Sequence, residues 1–160
     1  MEHSEWHGQK ILQAAPEAFI DVDIEADGVA GYGSILSIGA ISPFGREFYC
    51  ELKPTGDKWL DENKKFSEQH GLSHERLLAE GKDPLVAIRE FAEWTEDVVV
   101  AEQKTNAVFC GFNASFDFPF IDLYMKEAGV VNPYGVAGFC TKSLAMALVS
   151  KHKTYWDWGR

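Results

Sequence analysis

The sequence predicts an α/β fold built on a mixed central sheet, in which an antiparallel meander continues into parallel strands and helices flank the whole. Three observations carry this expectation. Residues 18–52 hold three short apolar runs separated by glycine- and proline-bearing turns, the mark of consecutive strands in a meander. Helical signals then take over, most clearly at Asp83-Pro84, where an Asp cap meets a Pro at the first helical position. An apolar run from Ala107 follows that helix, and a strand reached through a crossover helix lies parallel to its neighbour.

Taken in order, residues 1–16, with His3 and His7, lack periodicity. They read as a loose lead-in, because Gly8 and the polar setting suit a solvated tail better than a helical metal pair. Residues 17–160 then form a single domain. Its first strand, Ala18 to Glu25, alternates strictly, so Ile20, Val22 and Ile24 share one face while Asp21, Asp23 and Glu25 share the other. A turn rich in glycine (Gly28, Gly31, Gly33) leads to a strand over Ile35–Ile41. Pro43-Phe44-Gly45 makes a hairpin turn, and a third strand covers Glu47–Leu52.

Ser73 is a cap for a helix beginning at His74, without the full capping box because Arg76 stands at its third position. The helix opened by Asp83-Pro84 carries Ile88, Phe91, Ala92 and Thr95 at helical spacing. After the strand Ala107–Phe112 comes a helix from about Ser115 to Ala128, stopped by Gly129. A loop through Asn132-Pro133-Tyr134-Gly135 leads to a strand or turn, and a last helix opens at Ser143. Internal repeats and low-complexity tracts are absent from the sequence.

A chain of 160 residues is one domain's worth and enough for one substantial core. The hydrophobic fraction of 46% and charged fraction of 25% are ordinary for a globular protein. Apolar runs stay far short of the roughly 20 residues that span a bilayer, and no secretion signal is legible, so the expectation is a cytoplasmic protein with no membrane partner. Cys50, Cys110 and Cys140 are odd in number and far apart in apolar contexts, which suits reduced core thiols. Oligomeric state is not set by the residues, and a homodimer is compatible with them. With 15 basic and 25 acidic residues the net charge is −10, which excludes a broad basic face gripping many phosphates. Binding to a nucleic acid would need a small site in which metal ions and aromatic stacking replace lysines.

The row Asp21, Asp23, Glu25 carries the chemistry. Like charges on one strand face repel each other and are costly to desolvate, so such a row persists only where a cation or water compensates it, and a divalent metal is the obvious compensator. Asn113-Ala114-Ser115-Phe116-Asp117, after the strand ending at Phe112, puts a further carboxylate in the first turn of a helix at a strand's carboxyl end. Asp117 there suits a shared site, or a plain interaction with the helix dipole. Phe112, Phe116 and Phe118 flank this second motif and could stack terminal bases; Phe118 and Phe120 read rather as core. His70 and His74 read as exposed loop histidines, and Glu93, Glu96 and Asp97 as a solvated helix face.

Asp23-Ile24-Glu25-Ala26-Asp27-Gly28 and Asn113-Ala114-Ser115-Phe116-Asp117 resemble the first and second motifs of the DEDD superfamily of 3′-to-5′ exonucleases, which includes ribonuclease T and the proofreading exonucleases. The likeness covers roughly residues 17 to 150, including the helix at Ser143. It implies a ribonuclease H-like fold and a two-metal mechanism. Asp23, Glu25 and Asp117 would be catalytic and would hold Mg²⁺ or Mn²⁺, two ions in the complete enzyme. Asn113 and Phe116 would bind substrate, the 3′ end of a single-stranded nucleic acid, DNA or RNA. Few protein ligands suffice for Mg²⁺, which takes hard oxygen donors and keeps several waters.

The family's third motif is a His followed by an Asp five positions later. His152 and Asp157 have that spacing, but they follow Cys140 too closely and enclose Lys153, Tyr155 and Trp156. The expectation is therefore that the third motif lies beyond Arg160 and that this chain alone is nearly inactive. A catalytically incomplete binding module with an exonuclease fold is the alternative.

Overall fold

The computed structural model describes residues 14–56 and 61–149. His3, His7, His152 and Asp157 lie outside the described residues. The strands are β1 (Glu17–Ala26), β2 (Ile35–Ile41), β3 (Glu47–Glu51), β4 (Asn106–Gly111) and β5 (Phe139–Cys140). The helices are α1 (Asp61–Gln69), α2 (His74–Glu80), α3 (Pro84–Ala101), α4 (Ala114–Glu127) and α5 (Thr141–Val149).

One sheet gathers the strands in the order β3-β2-β1-β4-β5. β1 pairs antiparallel with β2 and β2 with β3, whereas β4 runs parallel to β1 and β5 parallel to β4. The meander and the parallel fourth strand are thus both as the sequence predicts. The strand or turn before the last helix is a strand of two residues.

Alternation along β1 sets the layers. Ile20, Val22 and Ile24 are buried on one face, against Ile88, Phe91 and Ala92 of α3 and Phe120, Ile121 and Met125 of α4 within one apolar cluster. Phe120 is core, as predicted, and Phe118 sits edge-on to Phe109 with ring centroids 5.3 Å apart. Both predicted caps form: Ser73 Oγ accepts the Arg76 N–H at 3.3 Å, and Asp83 Oδ1 accepts those of Leu85 and Val86 at 3.0 and 3.1 Å. The exit of β3 is strapped by a parallel bridge between Leu52 and Lys82, in which the Lys82 N–H donates to Glu51 and Lys53 donates back to Lys82, each at 2.9 Å.

Two differences from the sequence reading stand out. α5 begins two residues before Ser143, at Thr141. α1 was not expected at all, because Phe66 is the one apolar residue in Asp61–Gln69 and no apolar stripe betrays the helix.

The turn after β1 is closed by contact rather than left loose. Asp27, 1% exposed, accepts the Ser34 N–H through Oδ1 while its own N–H donates to the Ser34 carbonyl at 3.1 Å. Gly28 and Gly33 meet back to back. A Cβ on Gly33 would lie 2.6 Å from the Gly28 Cα and 2.8 Å from Asp27 Oδ1, closer than side-chain atoms approach. Gly33→Ala is therefore expected to lower the free energy of unfolding by about 1–3 kcal/mol in urea titration. Gly56→Ala, where the added carbon meets nothing within 4 Å, is expected to leave the urea midpoint close to wild type.

Candidate active site

β1 occupies the middle of the sheet, at the point where the neighbours switch from antiparallel to parallel, and α/β sheets bind ligands outside the carboxyl ends of strands at such points. Its polar face stays open because small residues face it across β2. Gly39 stands opposite Asp23 and Ser37 opposite Glu25. A register shift between Glu25 and Ala26 then ends the regular ladder, as bulges beside functional sites do.

The third carboxylate arrives from the other side. Pairing of β1 with β4 stops at Asp21 opposite Cys110, so the Ile24 N–H, further along β1, has no strand partner on that side. The chain leaves β4 through Asn113, which adopts the left-handed conformation (φ 75°, ψ 43°) that Asn tolerates better than most residues. α4 follows at once. In its first turn Asp117, 3% exposed, accepts the Ile24 N–H through Oδ1 at 3.1 Å. Ile24 lies between Asp23 and Glu25, so this bond fixes Asp117 beside both.

The result is a cleft of about 230 Å³ lined by Asp23, Glu25, Asn113, Phe116 and Asp117, all five sequence-predicted site residues, together with Ile24, Phe112 and Phe66. Asp21, from the same row, faces a neighbouring groove with Ile41 and Tyr49, a groove that Asp23 also lines. Burial pushes the Asp117 carboxyl up to about 6; the Ile24 N–H opposes that rise, and the nearby Asp23 and Glu25 charges add to it. Burial also raises Asp23. Glu25 is raised by burial and by Asp23, with His70 acting in the opposite direction.

Among the described residues no three His, Cys, Asp or Glu side chains are gathered closely enough to form a ready metal cluster. The donor set nevertheless suits a hard divalent cation. Three carboxylates and no histidine or cysteine line the cleft, and a carboxyl raised by burial and then by its acidic neighbours is one whose ionised form a cation would favour.

Several features of the site were not read from the sequence. Phe66 comes from the unexpected helix α1. His70 is exposed, as expected, yet its ring lies on Phe66 with centroids 4.3 Å apart. Lys142, 8% exposed at the start of α5, holds its Nζ 5.9 Å from the centre of the Phe112 ring. Of the cysteines, Cys50 and Cys110 are buried, and burial followed by the Asp21 charge pushes the Cys110 thiol up to about 11. Cys140 departs from the expectation of a core thiol: it is only partly buried. Burial raises it, but hydrogen bonds from the Ser143 hydroxyl and from the N–H groups of Ser143, Ala114 and Asn113 bring it below its usual value.

A carboxyl whose pKa is higher in the folded chain than its ordinary 3.8 favours the protonated fold, so its ionisation removes stability as pH rises from about 4 to about 6. Asp117→Asn keeps an acceptor for the Ile24 N–H and removes the charge. In chelator at pH 7 the variant is expected to melt about 3 °C or more above wild type, with the difference vanishing toward pH 4, by circular dichroism. A variant melting at or below wild type at pH 7 would refute this account of Asp117.

The chain is 39% identical over 136 residues to the 3′-5′ DNA exonuclease Cap18 of Escherichia coli, a match that takes in 83% of this chain and 70% of that protein. Among solved structures, product-bound exonuclease I has a TM-score of 0.66 at 13% identity, over 85% of this chain and 32% of its own. E. coli exonuclease I in complex with a dT13 oligonucleotide has a TM-score of 0.65 at 14% identity, over 85% of this chain and 30% of its own. This chain thus spans about a third of exonuclease I. At such identity the likeness establishes the fold alone, a ribonuclease H-like mixed sheet flanked by helices. No family model matches the chain. By its likeness to Cap18 the chain belongs to a family of 3′-5′ exonucleases.

Proposed function

We propose that this protein removes nucleotides from the 3′ end of single-stranded DNA, using Mg²⁺ or Mn²⁺ held by Asp23, Glu25 and Asp117. The observation that carries the reading is the meeting of two distant motifs in one cleft, where Asp117 is bonded to the backbone between Asp23 and Glu25. DNA is favoured over RNA because the relative Cap18 is a DNA exonuclease and exonuclease I has been captured with dT13 and dA16 oligonucleotides. A single strand is favoured over duplex because a chain of net charge −10 has little with which to grip a long run of phosphates.

Bound divalent ions would supply an activated water and charge stabilisation for the departing 3′ oxygen. The chain's own part is to position and exclude. Asp117, fixed by the Ile24 N–H, lines the cleft. Asp23 and Glu25 bring it the remaining negative charge from a rigid central strand. Asn113 and Phe116 line the mouth, where an amide can bond to sugar or phosphate and a ring can cover a base.

Titration calorimetry with Mn²⁺ is expected to give saturable heat that the double variant Asp23→Ala, Asp117→Ala lacks; equal heat from the two would sink the shared site. Single strands labelled at either end are expected to shorten from the 3′ end in Mn²⁺, only slowly with this chain alone, and Asp117→Asn is expected to lower that residual kcat/KM by roughly 100-fold or more. Tight, salt-sensitive binding of blunt duplex would contradict the reading. Binding of single strands without any cleavage would mark an exonuclease-fold binding module instead. Cleavage that His152→Ala abolishes would locate the third motif within this chain and overturn the expectation that it lies beyond Arg160.

A further inference from the structure

Among the described residues Lys142 is the one lysine or arginine that is buried, 8% exposed at the second position of α5. Local stability argues against it there. Lysine is among the residues least often buried, and in the first turn of a helix its charge opposes the partial positive charge of the unpaired N–H groups. Its Nζ lies 5.9 Å from the centre of the Phe112 ring, a contact that recovers part of that cost.

Both neighbours of Lys142 are pinned to the segment that carries Phe112 and Asn113. Thr141 Oγ1 donates to the Gly111 carbonyl at 3.2 Å. On the other side the Ser143 hydroxyl donates to Cys140 Sγ at 3.2 Å, and the same sulfur accepts the N–H groups of Asn113 and Ala114. Cys140 also pairs with Gly111 where β5 meets β4. The start of α5 is thus held against residues 111–114, and with it a cation beside Phe112, which is 48% exposed and lines the cleft. A lysine so placed lays its stem on apolar surface and turns its ammonium toward water. Lys142 is not itself among the residues lining the cleft, which include three carboxylates and no cation.

A strand with its last nucleotide in the cleft leaves it as a polyanion, and in a chain of net charge −10 the first phosphate outside meets a field that opposes it. A fixed cation at the Phe112 edge offsets that field where the strand emerges. We propose that Lys142 Nζ binds the phosphate next to the scissile one, the first that lies outside the cleft on the 5′ side, and so sets how far the 3′ end enters. A point charge on a phosphate fixes register and carries no base information, so the contact is indifferent to sequence. This deepens the exonuclease reading, on which the identity of the ligand rests.

The test uses the full chain and single strands whose last linkage is a phosphorothioate and in which one other linkage at a time is an uncharged methylphosphonate. By fluorescence anisotropy in Mn²⁺, wild type is expected to lose roughly 5- to 20-fold in affinity when the methylphosphonate stands next to the last linkage, and far less when it stands farther in. Lys142→Met is expected to bind every strand about as weakly as wild type binds that one, with a slope of log affinity against log salt shallower by about 0.7, and Lys142→Arg to behave as wild type. Circular dichroism checks each fold, Lys142→Gln stands in if the Met variant does not fold, and the scan of wild type needs no variant. A wild type indifferent to the position of the neutral linkage overturns the proposal. So does a Lys142→Met variant that binds less well yet keeps the wild-type slope and scan, since Lys142 would then serve only to hold Phe112. Cleavage of end-labelled strands with ordinary linkages is followed in parallel. Shortening from the 3′ end without a linkage-specific loss overturns the contact and leaves the exonuclease reading intact. A linkage-specific loss in a chain that shortens nothing supports the contact and sinks that reading instead.

Discussion

A single hydrogen bond, from the Ile24 N–H to Asp117 Oδ1, joins residues 93 positions apart and sets the terms for the rest of the site. It exists because β4 stops pairing with β1 at Asp21, leaving a backbone donor that a buried strand cannot afford to leave unmet. Asp117 meets that need and is drawn into the protein in doing so. Its burial next to two other carboxylates is what raises it, a cost that a cation in the cleft would offset. Fold, charge and chemistry here have one origin, the mismatch in length between β1 and its parallel neighbour.

Much of this was legible because it is local. The period of two along residues 18–25 put the three carboxylates on one face, and Asp83-Pro84 and Ser73 announced helix starts that form with the expected bonds. Asn113, Phe116 and Asp117 could be placed because a strand end followed by a helix start restricts where the first-turn side chains fall. What stayed hidden depends on packing between distant segments. α1 carries no apolar stripe, so neither the helix nor the role of Phe66 could be read from spacing. Nor could alternation alone distinguish Asp21 from Asp23, since both point outward; the motif resemblance singled out Asp23, which is the one of the two that lines the cleft with Asp117.

The division of labour within the cleft also explains how so acidic a chain could hold a polyanion. Carboxylates and aromatic rings line the cleft together, so contact with a strand would be made through neutral faces and through any ions held there. Long-range attraction has little part in such a scheme, since at −10 the protein's field opposes the approach of nucleic acid. On the proposed function, capture would depend on short-range fit at a chain end, and its sensitivity to added salt would be correspondingly shallow.

The strap between Leu52 and Lys82 has a bearing on the molecule in company as well as alone. β3 is an outer strand, and open strand edges are where proteins join into extended sheets. Here the strap occupies the Glu51 carbonyl and the Lys53 N–H, while Glu47 and Glu51 put charge at the two ends of the strand. At the opposite margin β5 offers two residues. Among the described residues both margins are short, and β3 carries charge, features that discourage edge-to-edge pairing.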